Sequence, residues 1–290
     1  MHADLDALLT ALYVLVDDLL PPRRRGPGRP PRISDSELIC LAVAQVLLDA
    51  PSEARFLRFA RERLGDLFPY IPGRSGFNKR LRALAPQLLA ALAEVARQSP
   101  SFYDRWRLLD STPVPCAASR ETVRRSQLAG HGGYGYCASH SRFFWGFRLY
   151  LLAAPDGLPV GVELAPANAP ERVVARELLE RTLAPGQIVI ADKGFAGAEF
   201  EQQVAALGGR LLRPDRKDEP RRFGTLGSVR QWIESTFATC KQQLSLERHG
   251  GRTLAGLISR IARRLLALAA AIWHNSICAQ PGRSLIAYDH

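Results

Sequence analysis

Asp110, Asp192 and Glu234 are the residues whose types and settings could do chemistry together. Asp110 closes the run Trp106-Arg107-Leu108-Leu109-Asp110, and Asp192 closes Gln187-Ile188-Val189-Ile190-Ala191-Asp192. Glu234 lies inside a helical stretch over residues 229–246. Two carboxylates leaving apolar strands and a third delivered by a helix can hold divalent ions against a phosphodiester. Carboxylates a few ångströms apart repel, and each raises the other's pKa unless a cation neutralises them. Oxygen-only ligands favour Mg2+ or Mn2+ over zinc or copper. Two such ions per site would clamp the scissile phosphate, one on the attacking water or 3′-hydroxyl and one on the leaving oxygen.

Helical geometry places Arg230, Glu234 and Lys241 on one stripe. Val229, Ile233, Phe237, Cys240 and Leu244 occupy an adjacent stripe that can pack on a sheet. The helix would anchor by one face and present an acid and two bases on the next, with Arg230 and Lys241 holding flanking phosphates. Salt-bridging charges on a solvated face would explain the same three residues. Other acids suit a metal site less well. Asp215, Asp218 and Glu219 lie in a charged loop over residues 213–222, and Asp104 and Asp156 sit in turns.

The elements that must position these acids follow from periodicity and punctuation. Asp110 would leave the first strand of a sheet and Asp192 the fourth, with functional groups gathered at strand ends. Strands are expected at residues 107–110, 143–153, 158–164, 188–191 and 210–213, with Pro155-Asp156-Gly157 turning the second into the third as a hairpin. Helices are expected at residues 171–183, 198–207, 229–246 and 254–278. Strands alternating with helices after a meander indicate an α/β fold with a mixed five-stranded sheet flanked by helices on both faces. The glycine-rich His131-Gly132-Gly133-Tyr134-Gly135-Tyr136 neither follows a strand nor opens a helix, so it reads as a flexible loop near DNA rather than a phosphate cradle.

Before residue 100 the pattern is all helical. Apolar residues recur at helical spacing over residues 5–20, until Pro21-Pro22 stops the helix. Ser34-Asp35-Ser36-Glu37 is a capping box opening a helix to about residue 50. Further helices are expected at residues 53–64 and 75–98, the latter broken or bent near Pro86. The linker at residues 21–32 combines Pro and Gly with Arg23, Arg24, Arg25, Arg29 and Arg32, and its Gly28-Arg29-Pro30 core resembles arms that enter the minor groove of A·T-rich DNA. Arg74, Asn78, Lys79, Arg80 and Arg82 surround a turn and helix start that suit a helix-turn-helix reader. A solvated linker and a solvated helix face are the alternatives. The resulting division is a helical DNA-binding region at 1–100 and a catalytic domain at 101–290.

Composition agrees with a polyanionic partner. The chain has 290 residues, is 47% hydrophobic and carries a formal net charge of +11, so it has enough apolar residues for a core and a basic excess that favours nucleic acid. The five cysteines are odd in number and lack CxxC pairing, which argues against a disulfide framework and for a reducing cytosol. Cys137 and His140 form a lone C-x-x-H, read as unpaired side chains rather than a zinc site. No basic leader precedes the first apolar stretch, and the apolar run over residues 265–273 is too short to span a bilayer. A soluble, cytoplasmic protein is expected.

These motifs together resemble a DDE transposase of a bacterial insertion sequence. Leu108-Leu109-Asp110-Ser111-Thr112-Pro113 is similar to the first-Asp motif and Ile190-Ala191-Asp192-Lys193-Gly194-Phe195 to the second. Arg230-x3-Glu234-x6-Lys241 matches the last three residues of the third motif, Y-x2-R-x3-E-x6-K, whose Tyr position is Gly227 here. Gly133-Tyr134-Gly135-Tyr136-Cys137-Ala138-Ser139 and the short spacing from Asp192 to Glu234 resemble the insertion-sequence 982 group. The resemblance implies an RNase H-like core and Mg2+-dependent cleavage at terminal inverted repeats that exposes 3′-hydroxyls. It further implies joining of those ends to target DNA, with the protein acting as a homodimer on the double-stranded DNA of the nucleoid. Lys193, beside Asp192, becomes a further phosphate contact. An RNase H-like repair or recombination nuclease without strand transfer, and a domesticated DNA-binding regulator, are the rival readings.

Overall fold

The computed structural model describes residues 3–21, 30–137, 141–215, 220, 222 and 226–288, with residues 227–230 described by backbone alone. The chain divides into two compact units. One comprises Met1–Ser99, Cys240–Gly251 and Ala255–His290, and the other Pro100–Thr239 with Arg252–Leu254.

The first unit is helical, with α1 (Leu5–Leu19), α2 (Asp35–Leu47), α3 (Glu53–Arg63), α4 (Arg74–Ala83) and α5 (Ala85–Gln98). The capping box at Ser34 forms: Glu37 N–H donates to Ser34 Oγ at 3.0 Å, and Ser34 N–H donates to Glu37 Oε2 at 2.6 Å. The expected break near Pro86 falls at Leu84, where α4 and α5 abut. Pro86 falls in the first turn of α5, where its missing N–H costs no intrahelical bond. The long C-terminal helix, counted below as α10 (Leu254–Ile277), belongs largely to this unit. It is buried on all sides from Ile261 to Asn275, as a core helix must be. Among the described residues, no helix is long and apolar enough to cross a membrane.

The second unit is built on a mixed sheet of six strands: β1 (Trp106–Ala117), β2 (Gly133–Cys137), β3 (Arg142–Ala153), β4 (Pro159–Pro166), β5 (Ile188–Ala191) and β6 (Arg210–Leu212). Its helices are α6 (Arg120–Arg125), α7 (Glu171–Thr182), α8 (Ala198–Ala206) and most of α9 (Gly227–Gln242). The strands run β2-β3-β1-β5-β6, and β4 also pairs with β3. Along the second edge of β3, β2 takes residues 142–146 and β4 takes residues 147–153. The β1 pairs with β5 and of β5 with β6 are parallel, and the others antiparallel.

Two expectations are corrected. The count of five strands omitted β2, because its glycines read as a flexible loop. They serve close packing instead: a Cβ on Gly133 would lie 1.9 Å from Asn168 Oδ1, and one on Gly135 would lie 2.9 Å from Ala167. The first strand also continues seven residues past Asp110, through Pro113 and Pro115. Proline lacks the N–H a central strand uses, but β5 pairs with β1 only over residues 106–109, so these prolines occupy an edge where no ladder with β5 is needed.

The sheet separates two apolar layers. Leu109, Tyr150, Leu152, Val189 and Ala191 pack against Val174, Leu178 and Leu179 of α7 and Phe200 and Val204 of α8. On the other face, Leu108, Leu151, Ala153 and Ile190 pack against Ile233 and Phe237 of α9. Strand alternation thus decides which side chains meet which helices.

Candidate active site

The parallel register of β1 and β5 brings the two aspartates together. Leu108 lies opposite Ile190 and Leu109 opposite Ala191, so Asp110 and Asp192 are the next residue on each strand. Neighbouring strands lie roughly 5 Å apart. Asp192 keeps an extended backbone beyond β5, at φ −72° and ψ 162°, so the alternation continues through it. Asp110 therefore shares a face with Leu108, and Asp192 with Ile190, which is the face that α9 covers. A narrow cleft is lined there by Leu108, Leu109, Asp110, Ile190, Ala191, Asp192 and Ile233.

Both carboxylates are half-buried and held by the same local device. Ser111 N–H donates to Asp110 Oδ1 at 2.7 Å, and Lys193 N–H donates to Asp192 Oδ1. After Asp192 the chain enters one 3-10 turn, Lys193–Phe195, and Phe195 is buried under the α7 and α8 layer. Lys193 is exposed beside its aspartate.

Glu234, the third acid expected from the sequence, lies on helix α9. Ile233, Phe237, Cys240 and Leu244 are buried, as the apolar stripe requires, and Ile233 lines the aspartate cleft. Glu234, the next residue, is exposed. Among the described residues, no group of three or more His, Cys, Asp or Glu side chains is gathered closely enough to hold a metal ion. The structure thus sets Asp110 and Asp192 side by side, with Glu234 following a residue of their cleft but outside a closed triad. The donor chemistry of the pair is oxygen only, which fits a hard cation.

The remaining candidates fall into different settings. Arg230 is in the first turn of α9, and Lys241 in its last turn, where its Nζ lies 3.6 Å from Glu247 Oε1. In the helical unit, Arg74, Lys79 and Arg82 are exposed on α4. Asn78 and Arg80 point to internal partners: Asn78 Nδ2 donates to Glu53 Oε2, and Arg80 pairs with Asp35 and donates to the Ile33 carbonyl at 2.8 Å. Arg32 stacks over Tyr70 at 4.3 Å. Arg23, Arg24, Arg25, Arg29 and His140 lie outside the described residues.

Sequence reasoning passed over Ser111, Arg148 and Glu171, which meet behind Asp110. Arg148 Nη1 donates to Ser111 Oγ at 3.2 Å and pairs with Glu171 Oε1 at 3.3 Å, and Ser111 Oγ donates to Glu171 Oε1 at 3.2 Å. A single cation inside the otherwise apolar and aromatic run over residues 143–153 was the available signal, because such a charge needs a partner.

A mixed sheet of this order with helices on both faces is the architecture of an RNase H-like domain. Residues 104–270, more than half of the chain, match the family model described as the transposase DDE domain, and the chain belongs to that family. Among curated proteins, no match was found.

Proposed function

We propose that the protein binds the terminal inverted repeats of a bacterial insertion sequence related to the 982 group, cleaves their ends to free 3′-hydroxyls and joins these to target DNA. The observation that carries this reading is the parallel register that sets Asp110 beside Asp192 within the span matching the transposase family. Asp110, Asp192 and Glu234 would hold two divalent ions of the Mg2+ or Mn2+ type. When bound, such ions supply activation of the attacking oxygen and neutralisation of charge on the leaving one. Lys193, Arg230 and Lys241 bind phosphates flanking the scissile bond, Arg230 as a fork and the lysines as point charges. Exposed Arg74, Lys79 and Arg82, with the arginines of the 21–32 linker, engage the repeat as a homodimer docks two ends. The net charge of +11 supports a DNA partner. So does the exposed aromatic face formed by Tyr134, Tyr136 and Phe143, which suits contact with bases.

Purified protein incubated with Mg2+ and a duplex carrying one element end tests the reading. Joined products, in which the cut end is attached to a second duplex, are expected. Cleavage without joined products would favour a nuclease, and end binding without cleavage a regulator.

A further inference from the structure

We propose that Glu171, held by Arg148, is a positioning residue that braces the Asp110-bearing segment from the opposite side of the sheet. The inference rests on reading Asp110 and Asp192 as metal-holding groups. Ser111 is the shared joint. Its N–H fixes Asp110 Oδ1 on one face, while its hydroxyl donates to Glu171 and accepts from Arg148 on the other. The orientation of the Asp110–Ser111 peptide, and hence of the N–H on the carboxylate, is set from both sides.

Glu171 also faces the second aspartate's segment. Its Oε2 would lie 3.5 Å from a Cβ placed on Gly194, two residues beyond Asp192. One carboxylate at the start of α7 therefore hydrogen-bonds just past Asp110 and faces the open side of Gly194, although Ser111 and Gly194 are remote in sequence. Arg148 ties this brace to a third strand, since its Nη2 donates to the Tyr136 carbonyl of β2 at 2.7 Å.

The arrangement exceeds what an ion pair kept for stability alone requires. Arg148 is 17% exposed and Glu171 38%, so the pair is partly screened and its Coulombic contribution modest. Its hydrogen bonds end on the groups that orient the site. Outer-shell partners of this kind fix ligand geometry, and their loss typically costs roughly 10–100-fold in metal affinity or activity. Tyr150 lies opposite Ser111 in the β1–β3 register and is fully buried.

The test is Mn2+ binding to the full-length protein, followed by electron paramagnetic resonance, for wild type, Glu171→Gln, Arg148→Ala, Arg148→Lys, Ser111→Ala and Asp192→Asn. Circular dichroism melts identify any variant that fails to fold. Glu171→Gln and Arg148→Ala are expected to weaken Mn2+ binding by about 10-fold or more while leaving DNA-end binding unchanged. Arg148→Lys should recover part of the loss. If Arg148→Ala does not fold, the isosteric Glu171→Gln and the small Ser111→Ala decide. If wild type outbinds Asp192→Asn but the folded Glu171 and Ser111 variants match wild type, the bracing role is overturned. If wild type and Asp192→Asn bind Mn2+ equally, the underlying reading of the aspartates falls instead.

Discussion

Asp110 and Asp192 each accept from the N–H of the next residue, which fixes one carboxylate oxygen of each. The aspartates were legible in sequence because an apolar run that stops at a carboxylate needs a reason. The residues behind Asp110 were not, because nothing local to Arg148 names Glu171 as its partner. A second pair shows how charge is handled elsewhere in the sheet unit. Arg222 and then Arg213 donate to Glu201 and hold its carboxyl below the usual range. Arg213 Nη2 lies 2.8 Å from Glu201 Oε1 and is almost wholly buried. Glu201→Gln should destabilise the protein by roughly 2 kcal/mol at neutral pH, somewhat less than a fully buried pair would lose. A carboxyl whose folded pKa is depressed contributes fully above its unfolded value near 4.5 and loses the contribution as pH falls through the folded pKa. The stabilities of wild type and variant, read from melting curves, should therefore converge only below the depressed folded pKa. A constant gap across pH would exclude the ion pair as its cause.

At the scale of elements, strong local signals were read well from sequence and edge effects poorly. The capping box at Ser34 declares itself through two residues at fixed spacing, and Ser34→Ala should cost about 1 kcal/mol in a denaturant titration. The β3–β4 turn is equally local: Leu158 N–H donates to Asp156 Oδ1 at 3.0 Å. By contrast, the length of β1 depends on which neighbour occupies its edge beyond Asp110, and β2 depends on Asn168 and Ala167 packing against its glycines. Neither fact is local. Helix α9 has a similar dual character, since its apolar stripe was visible while its seating on Leu108 and Ile190 was not. Ile233→Ala should remove about 3 kcal/mol of stability by leaving a cavity. It should also reduce cleavage more than an equally destabilising change in the α7 layer, such as Leu178→Ala. Equal losses from both variants would detach α9 from the site.

For the whole molecule, basic composition and division into two units frame the remaining expectations. The C-terminal helix groups with the N-terminal helices, which could not be read from sequence because its apolar run names no partner. If the arginines and lysines meet DNA phosphates, affinity should fall steeply with salt, by roughly a thousand-fold between about 50 and 200 mM for about six contacts. Binding titrations at rising salt would show this, and a flat response would argue against a phosphate-dominated interface. The central claim is that Asp110 and Asp192 jointly support phosphodiester chemistry. Its most direct measurement compares Mg2+-dependent nicking of end-bearing duplex by wild type, Asp110→Asn and Asp192→Asn, with end binding followed in parallel. Loss of nicking in both variants with binding retained is the expected result. Nicking by either variant at the wild-type rate would contradict it.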